Sequence, residues 1–167
     1  MKADEFRQNK QKLRILILGA YRPESASKKL ETLRNCLIKR GFKSTKLAKD
    51  FPETTFYSQD MDEHFTIKSR KLINEWAHVL VFVFLKNADN QGVASEITYT
   101  CLQLQDKQSL CAVFFEDKFA NFSTQIKGSI KITKQISYEI FRNERELCDL
   151  AAGHSLKTLD KLFYFIE

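Results

Sequence analysis

This chain has little glycine or proline and no long apolar run. Its 167 residues include five glycines and two prolines, with no low-complexity tract and no linker. The longest apolar run covers residues 79–85, which is too short to cross a bilayer. The first residues are acidic and carry no apolar segment typical of a secretory signal. We therefore expect a cytoplasmic protein that has no membrane partner.

Cysteine is also sparse. The four cysteines stand at positions 36, 101, 111 and 148, and no two of them have the close spacing of a metal knuckle or a redox pair. Cys36, Cys101 and Cys111 fall inside apolar patterns. The sequence therefore predicts reduced, mostly buried thiols rather than disulfides.

The charge balance is basic, with a formal net charge of +6. Basic residues are spread thinly, and the one dense patch covers residues 7–14. The chain has no zinc-finger, RNA-binding or basic-zipper pattern. We therefore interpret the patch as a solvated lead-in rather than a nucleic-acid arm, and a nucleic-acid partner is disfavoured. Basic character also suits a small anionic ligand.

Apolar runs typical of strands alternate with helical patterns along the chain. Strands are predicted at 13–18, 42–48, 79–85 and 110–115, with a short fifth strand at either 130–132 or 135–140. Helices are predicted at 24–40, 65–76, 93–105 and from 143 onward. This order predicts an α/β fold: a three-layer α/β/α sandwich with a mostly parallel four- to five-stranded sheet, flavodoxin-like or Rossmann-like. Residues 1–11 form a polar N-terminal lead-in to a single domain over 12–167.

The first strand ends in a turn that can hold an anion. Gly19 and Ala20 follow the apolar run, and Tyr21, Arg22 and Ser25 lead into the next helix. Backbone amides at a glycine-containing turn and a helix N-terminus favour phosphate, and the arginine and serine can add contacts. The alternative is an ordinary strand-to-helix turn with an exposed arginine.

A second candidate follows the strand at 79–85. Gly92 opens a helix in which Glu96 shares a face with Tyr99 and Thr100. A carboxylate at the carboxyl end of a buried strand can attack an electron-poor sugar carbon or stabilise an oxocarbenium-like transition state. The alternative is a glutamate favoured by the helix dipole alone.

Together these segments resemble the nucleoside 2-deoxyribosyltransferase-like family and its nucleotide N-hydrolase relatives. The resemblance covers residues 13–115 and centres on the run from Gly92 to Tyr99, which matches the family pattern G-x-x-x-E-[IL]-x-[YF]. It implies that Glu96 is the nucleophile on the sugar C1′, with a nucleoside or nucleotide in the cleft. Related folds assemble as dimers, so the resemblance also implies a homodimer.

Several family positions differ here. The acidic residue that the family has six positions before the glutamate is Asn90, with Asp89 beside it. An aspartate before the third strand is replaced by His78, and another, two turns earlier, by Arg70. The family tyrosine in the first strand is Ile17. These changes indicate a different substrate or a protein that only binds, and Arg70 with its positive charge suits a phosphorylated ligand.

Other polar residues carry weaker signals. Asp60, Asp62 and His64 form a D-x-D-x-H cluster that we interpret as a solvated loop or helix start. His78 and His154 are interpreted as structural. We expect no metal, and no cofactor is predicted because the dinucleotide fingerprint is missing.

Three hypotheses remain open from the sequence. The first is an enzyme that cleaves or transfers the N-glycosidic bond of a nucleoside or nucleotide, or of NAD as the TIR-type hydrolases do. The second is a catalytically silent nucleotide-binding or sensing module. The third is a basic protein associated with nucleic acid.

Overall fold

A computed structural model of the chain describes residues 3–52, 57–104, 110–117 and 123–163. The strands of this part are β1 (Ile15–Gly19), β2 (Thr45–Leu47), β3 (Val79–Phe84), β4 (Leu110–Glu116) and β5 (Ile136–Phe141). The helices are α1 (Ala3–Lys12), α2 (Glu24–Lys39), α3 (Met61–Lys71), α4 (Gln91–Gln103), α5 (Thr124–Ile132) and α6 (Glu144–Phe163). A 3-10 turn (Ala48–Asp50) follows β2, and α3 continues into one wider turn (Leu72–Trp76).

The strands form one parallel sheet in the order β2-β1-β3-β4-β5. Ile15 pairs with Thr45 on one side and with Val79 on the other, so β1 and β3 lie side by side at the centre. This order is that of a flavodoxin-like doubly wound sheet. The predicted α/β sandwich is confirmed, and the sheet is parallel throughout its five strands.

The fifth strand resolves an alternative left by the sequence. Residues 136–141 form β5, which confirms the second of the two predicted positions. The first, residues 130–132, is wrong because these residues end α5. Ile126 and Ile130, four positions apart on that helix, both pack on the sheet, so a helical period explains what resembled a short alternation.

Two apolar layers cover the sheet. On one face Ile17 packs with Leu30 of α2 and Leu147 of α6. On the other face Leu16 packs with Ile97 of α4, with residues of the wider turn that follows α3, and with residues of α5. Successive side chains of a strand point to opposite faces, so a central strand covered on both sides is a continuous apolar run. This arrangement places α2 and α4, the helices that follow the two central strands, on opposite faces.

The cysteine prediction is half wrong. Cys36 of α2 and Cys148 of α6 form a disulfide, with their Cα atoms 6.4 Å apart. They are 112 residues apart in sequence, and they meet because both helices pack on the same face of the sheet. Cys101 and Cys111 are free and buried, as predicted. The cytoplasmic location stays a prediction.

Pro23 and Gly41 mark the two ends of α2. Pro23 is the N-cap of α2, and no side chain caps the helix. Gly41 ends this helix with a φ of 99°, a conformation that glycine adopts without strain. Residues 3–11 of the polar lead-in belong to α1, and Phe6 of this helix packs against the apolar layer formed with α6.

None of the helices described is both long and apolar enough to span a membrane.

Candidate functional site

The site lies where the winding of the sheet reverses. β1 leads through α2 to β2 on one side, and β3 leads through α4 to β4 on the other. The loops that follow the two central strands are tied together, because the Asp89 backbone N–H donates to the Arg22 carbonyl oxygen at 3.0 Å. In parallel sheets, ligands bind outside the carboxyl ends of strands at this point.

Glu96 lies on the second turn of α4, next to this crevice. Ser69 of α3 donates a hydrogen bond from its Oγ to Glu96 Oε1 at 2.5 Å. Burial raises the pKa of Glu96 to about 7, against a smaller lowering by the Ser69 hydrogen bond. Among the described residues, no cationic side chain contributes to that shift. The carboxyl group is therefore half protonated near neutral pH and can accept, donate or exchange a proton there.

Tyr21 approaches Glu96 from the loop after β1. Burial of its hydroxyl and, to a smaller extent, the negative charge of Glu96 raise the pKa of Tyr21 to about 12, against a lowering by hydrogen bonds with the backbone of Lys49 and Ala48. The residue as a whole is 36% exposed. Two residues predicted from separate segments of the chain are therefore neighbours, with an exposed aromatic ring beside a desolvated carboxyl group.

Arg70 and Tyr99 lie together on the α3 and α4 sides of the site. The Arg70 guanidinium lies 4.8 Å from the centre of the Tyr99 ring, a cation–π geometry. Asn74 Nδ2 donates to the Tyr99 hydroxyl at 2.6 Å. Arg70 follows Ser69 directly and makes no ion pair with any residue in the described ranges. Its charge is available to an anionic ligand.

The Asn90 side chain stabilises the loop that follows β3. Its Oδ1 accepts from the Leu85 N–H at 3.2 Å, and its Nδ2 donates to the carbonyls of Leu85 at 2.9 Å and Ala88 at 3.2 Å. The exposed Asp89 carboxylate accepts from the Gln91 N–H at 3.3 Å. The sequence predicts Asn90 and Asp89 among the substrate-binding residues, and that stays a prediction; in the structure the Asn90 amide is hydrogen-bonded to the backbone of its own loop.

The two candidate glycines differ in what surrounds them. A Cβ at Gly19 would lie 2.8 Å from Leu30 Cδ2 and 3.0 Å from the Val83 carbonyl oxygen, so the packing of α2 on the sheet requires glycine here. Ala20 is buried in the same layer. Both positions therefore pack against the apolar layer, and the binding role predicted for their backbone stays a prediction. A Cβ at Gly92 would meet nothing within 4 Å, so this glycine is open to solvent.

Arg22 and Ser25 are exposed at the start of α2. Arg22 uses its backbone carbonyl to hold Asp89, while its side chain makes no ion pair within the described part of the chain. Nothing in the structure links either side chain to Glu96. Both remain at the rim of the crevice, where a phosphate group can reach them.

His78 and His64 occupy structural positions. His78 lies at the amino end of β3, away from the crevice, and its Nδ1 accepts from the Arg14 N–H at 3.2 Å. Asp60 caps α3 by accepting from the N–H groups of Asp62 at 2.9 Å and Glu63 at 3.1 Å. His64 is fully buried, with its ring stacked on Tyr57. The interpretation of the D-x-D-x-H cluster as a helix start is confirmed.

Sequence reasoning missed Ser69. A serine on a mostly polar helix carries no pattern of its own, and its contact with Glu96 depends on how α3 packs beside α4. The one available signal was its position next to Arg70, which the family comparison had already singled out.

No protein-family model matches this sequence, and no curated protein matches it significantly. The resemblance to the deoxyribosyltransferase-like family therefore stays a prediction that rests on the motif around Glu96.

Proposed function

We propose that this protein binds a nucleoside or nucleotide in the crevice between the β1 and β3 loops and cleaves or transfers its N-glycosidic bond, with Glu96 as nucleophile. One observation carries the proposal. The Glu96 carboxyl group is desolvated beside the crevice, and among described residues only Ser69 hydrogen-bonds to it, through Oε1. The second oxygen is left without a hydrogen-bond partner in that part of the chain and can attack.

The reaction takes two displacements. Glu96 Oε2 attacks the sugar C1′ and forms a glycosyl ester, while the C1′–N bond breaks and its electron pair leaves on the base nitrogen. The base takes up a proton from water. A water molecule or the nitrogen of a second base then attacks C1′ and loses its proton, and the Glu96 carboxylate is released. Water gives hydrolysis, and a second base gives transfer.

The environment of Glu96 suits this role. A carboxylate that has lost part of its hydration is a stronger base and nucleophile than one in water, and its pKa of about 7 lies near the operating pH of a cytoplasmic enzyme. Ser69 fixes the orientation of the carboxyl group through Oε1. Positioning by a neighbouring hydroxyl replaces the acidic residues that the family pattern contains and this chain lacks.

Cationic side chains favour a phosphorylated ligand. Arg70 lies beside the Glu96 helix and Arg22 lies on the opposite rim, and neither is neutralised by a carboxylate within the described residues. Guanidinium groups bind phosphate oxygens through paired hydrogen bonds. The exposed ring of Tyr21 offers a surface on which a base can stack. We therefore expect nucleoside monophosphates to bind more tightly than nucleosides.

A second candidate function is a nucleotide-binding module without turnover. The pKa of Glu96 near 7 favours it, because the protonated carboxyl group donates a hydrogen bond to a base or sugar instead of attacking it. The engagement of the Asn90 amide with its own loop favours it too, since this amide is not free to support a transition state.

Base release separates these functions. Purified protein is incubated with deoxynucleosides, nucleoside monophosphates and NAD, and free base is measured by chromatography. Glu96→Gln removes the nucleophile with little change in volume, and Glu5→Gln makes the same change on α1, where the side chain is exposed and outside the crevice. We expect base release that Glu96→Gln abolishes and Glu5→Gln retains.

The other outcomes are equally clear. Thermal stabilisation by a nucleotide without base release supports the binding module. If none of these compounds gives base release or thermal stabilisation, both functions are overturned. Salt-sensitive binding of DNA or RNA in that case supports a nucleic-acid partner.

A further inference from the structure

A second cavity lies at the amino ends of the strands, opposite to the crevice beside Glu96. It has a volume of about 460 Å³ and opens between α6 and the amino ends of β3, β4 and β5. Val79 and Leu110, the first residues of β3 and β4, form part of its wall, and Lys157 of α6 faces them across the opening. The strands are parallel, so this cavity and the Glu96 crevice are on opposite ends of the sheet.

The lining of this cavity is strongly cationic. Lys134, Lys157 and Lys161 line it, and none of its lining residues is an aspartate or glutamate. None of the three ammonium groups forms an ion pair with a residue in the described ranges. At the border, Glu139 Oε1 lies 3.7 Å from His154 Nε2. Asp160 lies between two of the lysines in sequence without pairing with either of them.

Neutral donors and an apolar floor complete the cavity. Ser137 and Gln135 contribute a hydroxyl and an amide to the lining, and neither is hydrogen-bonded through its side chain to a described residue. The floor includes Ala112 and Cys111, both buried. Burial and the nearby Lys157 lower the pKa of His154, so its ring is neutral at pH 7. The lining therefore carries three positive charges and no negative one, and the Glu139 carboxylate lies at its border.

We propose that this cavity is a binding site for a small multivalent anion that carries two or more linked phosphate groups. Three like charges around one opening repel each other in the empty site, and a multivalent anion removes this repulsion while each ammonium group gains a charge-assisted hydrogen bond. A single negative charge leaves two of the lysines unneutralised. The proposal is independent of Glu96 and of the function proposed above.

The test uses inorganic pyrophosphate and the full chain at about 0.15 M salt, where charges far apart on the surface are screened. Binding is measured by calorimetry and mapped by two-dimensional NMR. We expect saturable binding, with resonances of Ser137, His154 and Thr158 shifted and those of Ser69 and Glu96 unchanged. Shifts centred on Glu96, or no saturation at millimolar pyrophosphate, overturn the proposal.

Two double variants separate a site from general surface charge. Lys157→Ala with Lys161→Ala removes two lining charges, and we expect affinity about tenfold lower or weaker still. Lys43→Ala with Lys131→Ala removes two exposed lysines outside the lining, and its affinity should stay near that of the parent. Equal losses in both variants overturn the proposal.

Ser137→Tyr provides a third variant that keeps every charge. Its ring fills the opening from the exposed strand β5, so pyrophosphate binding should be lost while Lys134 and its neighbours remain. Retained binding overturns the proposal.

ADP in place of pyrophosphate distinguishes the source of the phosphates. Tighter binding of ADP at the same resonances assigns the site to a nucleotide phosphate chain, and equal or weaker binding there assigns it to free pyrophosphate.

Discussion

Ser69 Oγ donates a hydrogen bond to Glu96 Oε1 at 2.5 Å and so joins α3 to α4 beside the crevice. This hydroxyl lowers the pKa of Glu96, yet burial outweighs it and the pKa stands at about 7. A neutral donor orients a carboxyl group without neutralising it. The protonation state of Glu96 therefore changes with pH in the physiological range, and this change is measurable.

The raised pKa of Glu96 makes stability depend on pH. Its folded value of about 7 lies above the ordinary 4.5, so between these values the folded chain holds more protons than the unfolded chain. This group's contribution is fully present below pH 4.5 and is lost as pH rises through 7. The loss of free energy of unfolding is at most about 3 kcal/mol, and screening by solvent that reaches the side chain makes it smaller. Urea unfolding from pH 5 to 8 measures it.

Glu96→Gln isolates this contribution from those of His78 and His154. Burial lowers the pKa of both histidines, so their contributions change with pH in the opposite direction. Subtracting the free energy of unfolding of Glu5→Gln from that of Glu96→Gln cancels them. A difference that stays constant from pH 5 to 8 contradicts the raised pKa.

Asn90 should matter to stability more than its exposure suggests. Its amide makes three hydrogen bonds with the backbone of Leu85 and Ala88, so Asn90→Ala should lower the free energy of unfolding by about 1–3 kcal/mol. Asn90→Asp restores the acid of the family pattern but loses both donated hydrogen bonds, and we expect it to destabilise as well. Asp89→Ala, which loses one exposed contact, is the control. Equal stability of all three variants by urea unfolding would refute this role.

The two site glycines should respond oppositely to alanine. Gly19→Ala places a methyl group 2.8 Å from Leu30 Cδ2 and 3.0 Å from the Val83 carbonyl oxygen, and it should cost about 1–3 kcal/mol. Gly92→Ala meets no atom within 4 Å and lies inside α4, so it should be neutral or stabilise by up to about 1 kcal/mol. Thermal unfolding of both variants measures this, and a stable Gly19→Ala protein would contradict the packing role.

The Cys36–Cys148 disulfide predicts a thiol count. In denaturant without reductant, two cysteines should react with a maleimide, and four should react after reduction. The bond closes a loop of 112 residues, so its removal by Cys36→Ser with Cys148→Ser should cost about 2–5 kcal/mol. Four reactive thiols before reduction, counted by intact mass, would show that the bond is absent.

Much of the fold is readable from the sequence because central parallel strands are apolar on both faces. The runs at β1, β3 and β4 were therefore unmistakable. β2 was predicted over 42–48 but covers only Thr45–Leu47, because it is an edge strand with weak alternation. The sequence left two positions for the fifth strand, one of which lies in α5, because a short apolar pair fits both the strand and the helix period.

The site was predicted in part. Glu96 was found because a glycine and a carboxylate follow a buried strand at a recognisable spacing. Ser69 was not, because its contact with Glu96 spans 27 residues and depends on the packing of two helices. Gly19 was recognised as a special position, but the sequence does not show that its missing side chain leaves room for Leu30.

The pH dependence of base release from a nucleoside monophosphate tests the role of Glu96 most directly. As a nucleophile it must be ionised, so kcat/KM should rise with pH through about 7 and then level off. Ser69→Ala removes a hydrogen bond that lowers this pKa, so its profile should shift to higher pH. Glu96→Gln should release no base at any pH. Base release by Glu96→Gln at the parent rate would contradict the assignment of Glu96 as the nucleophile.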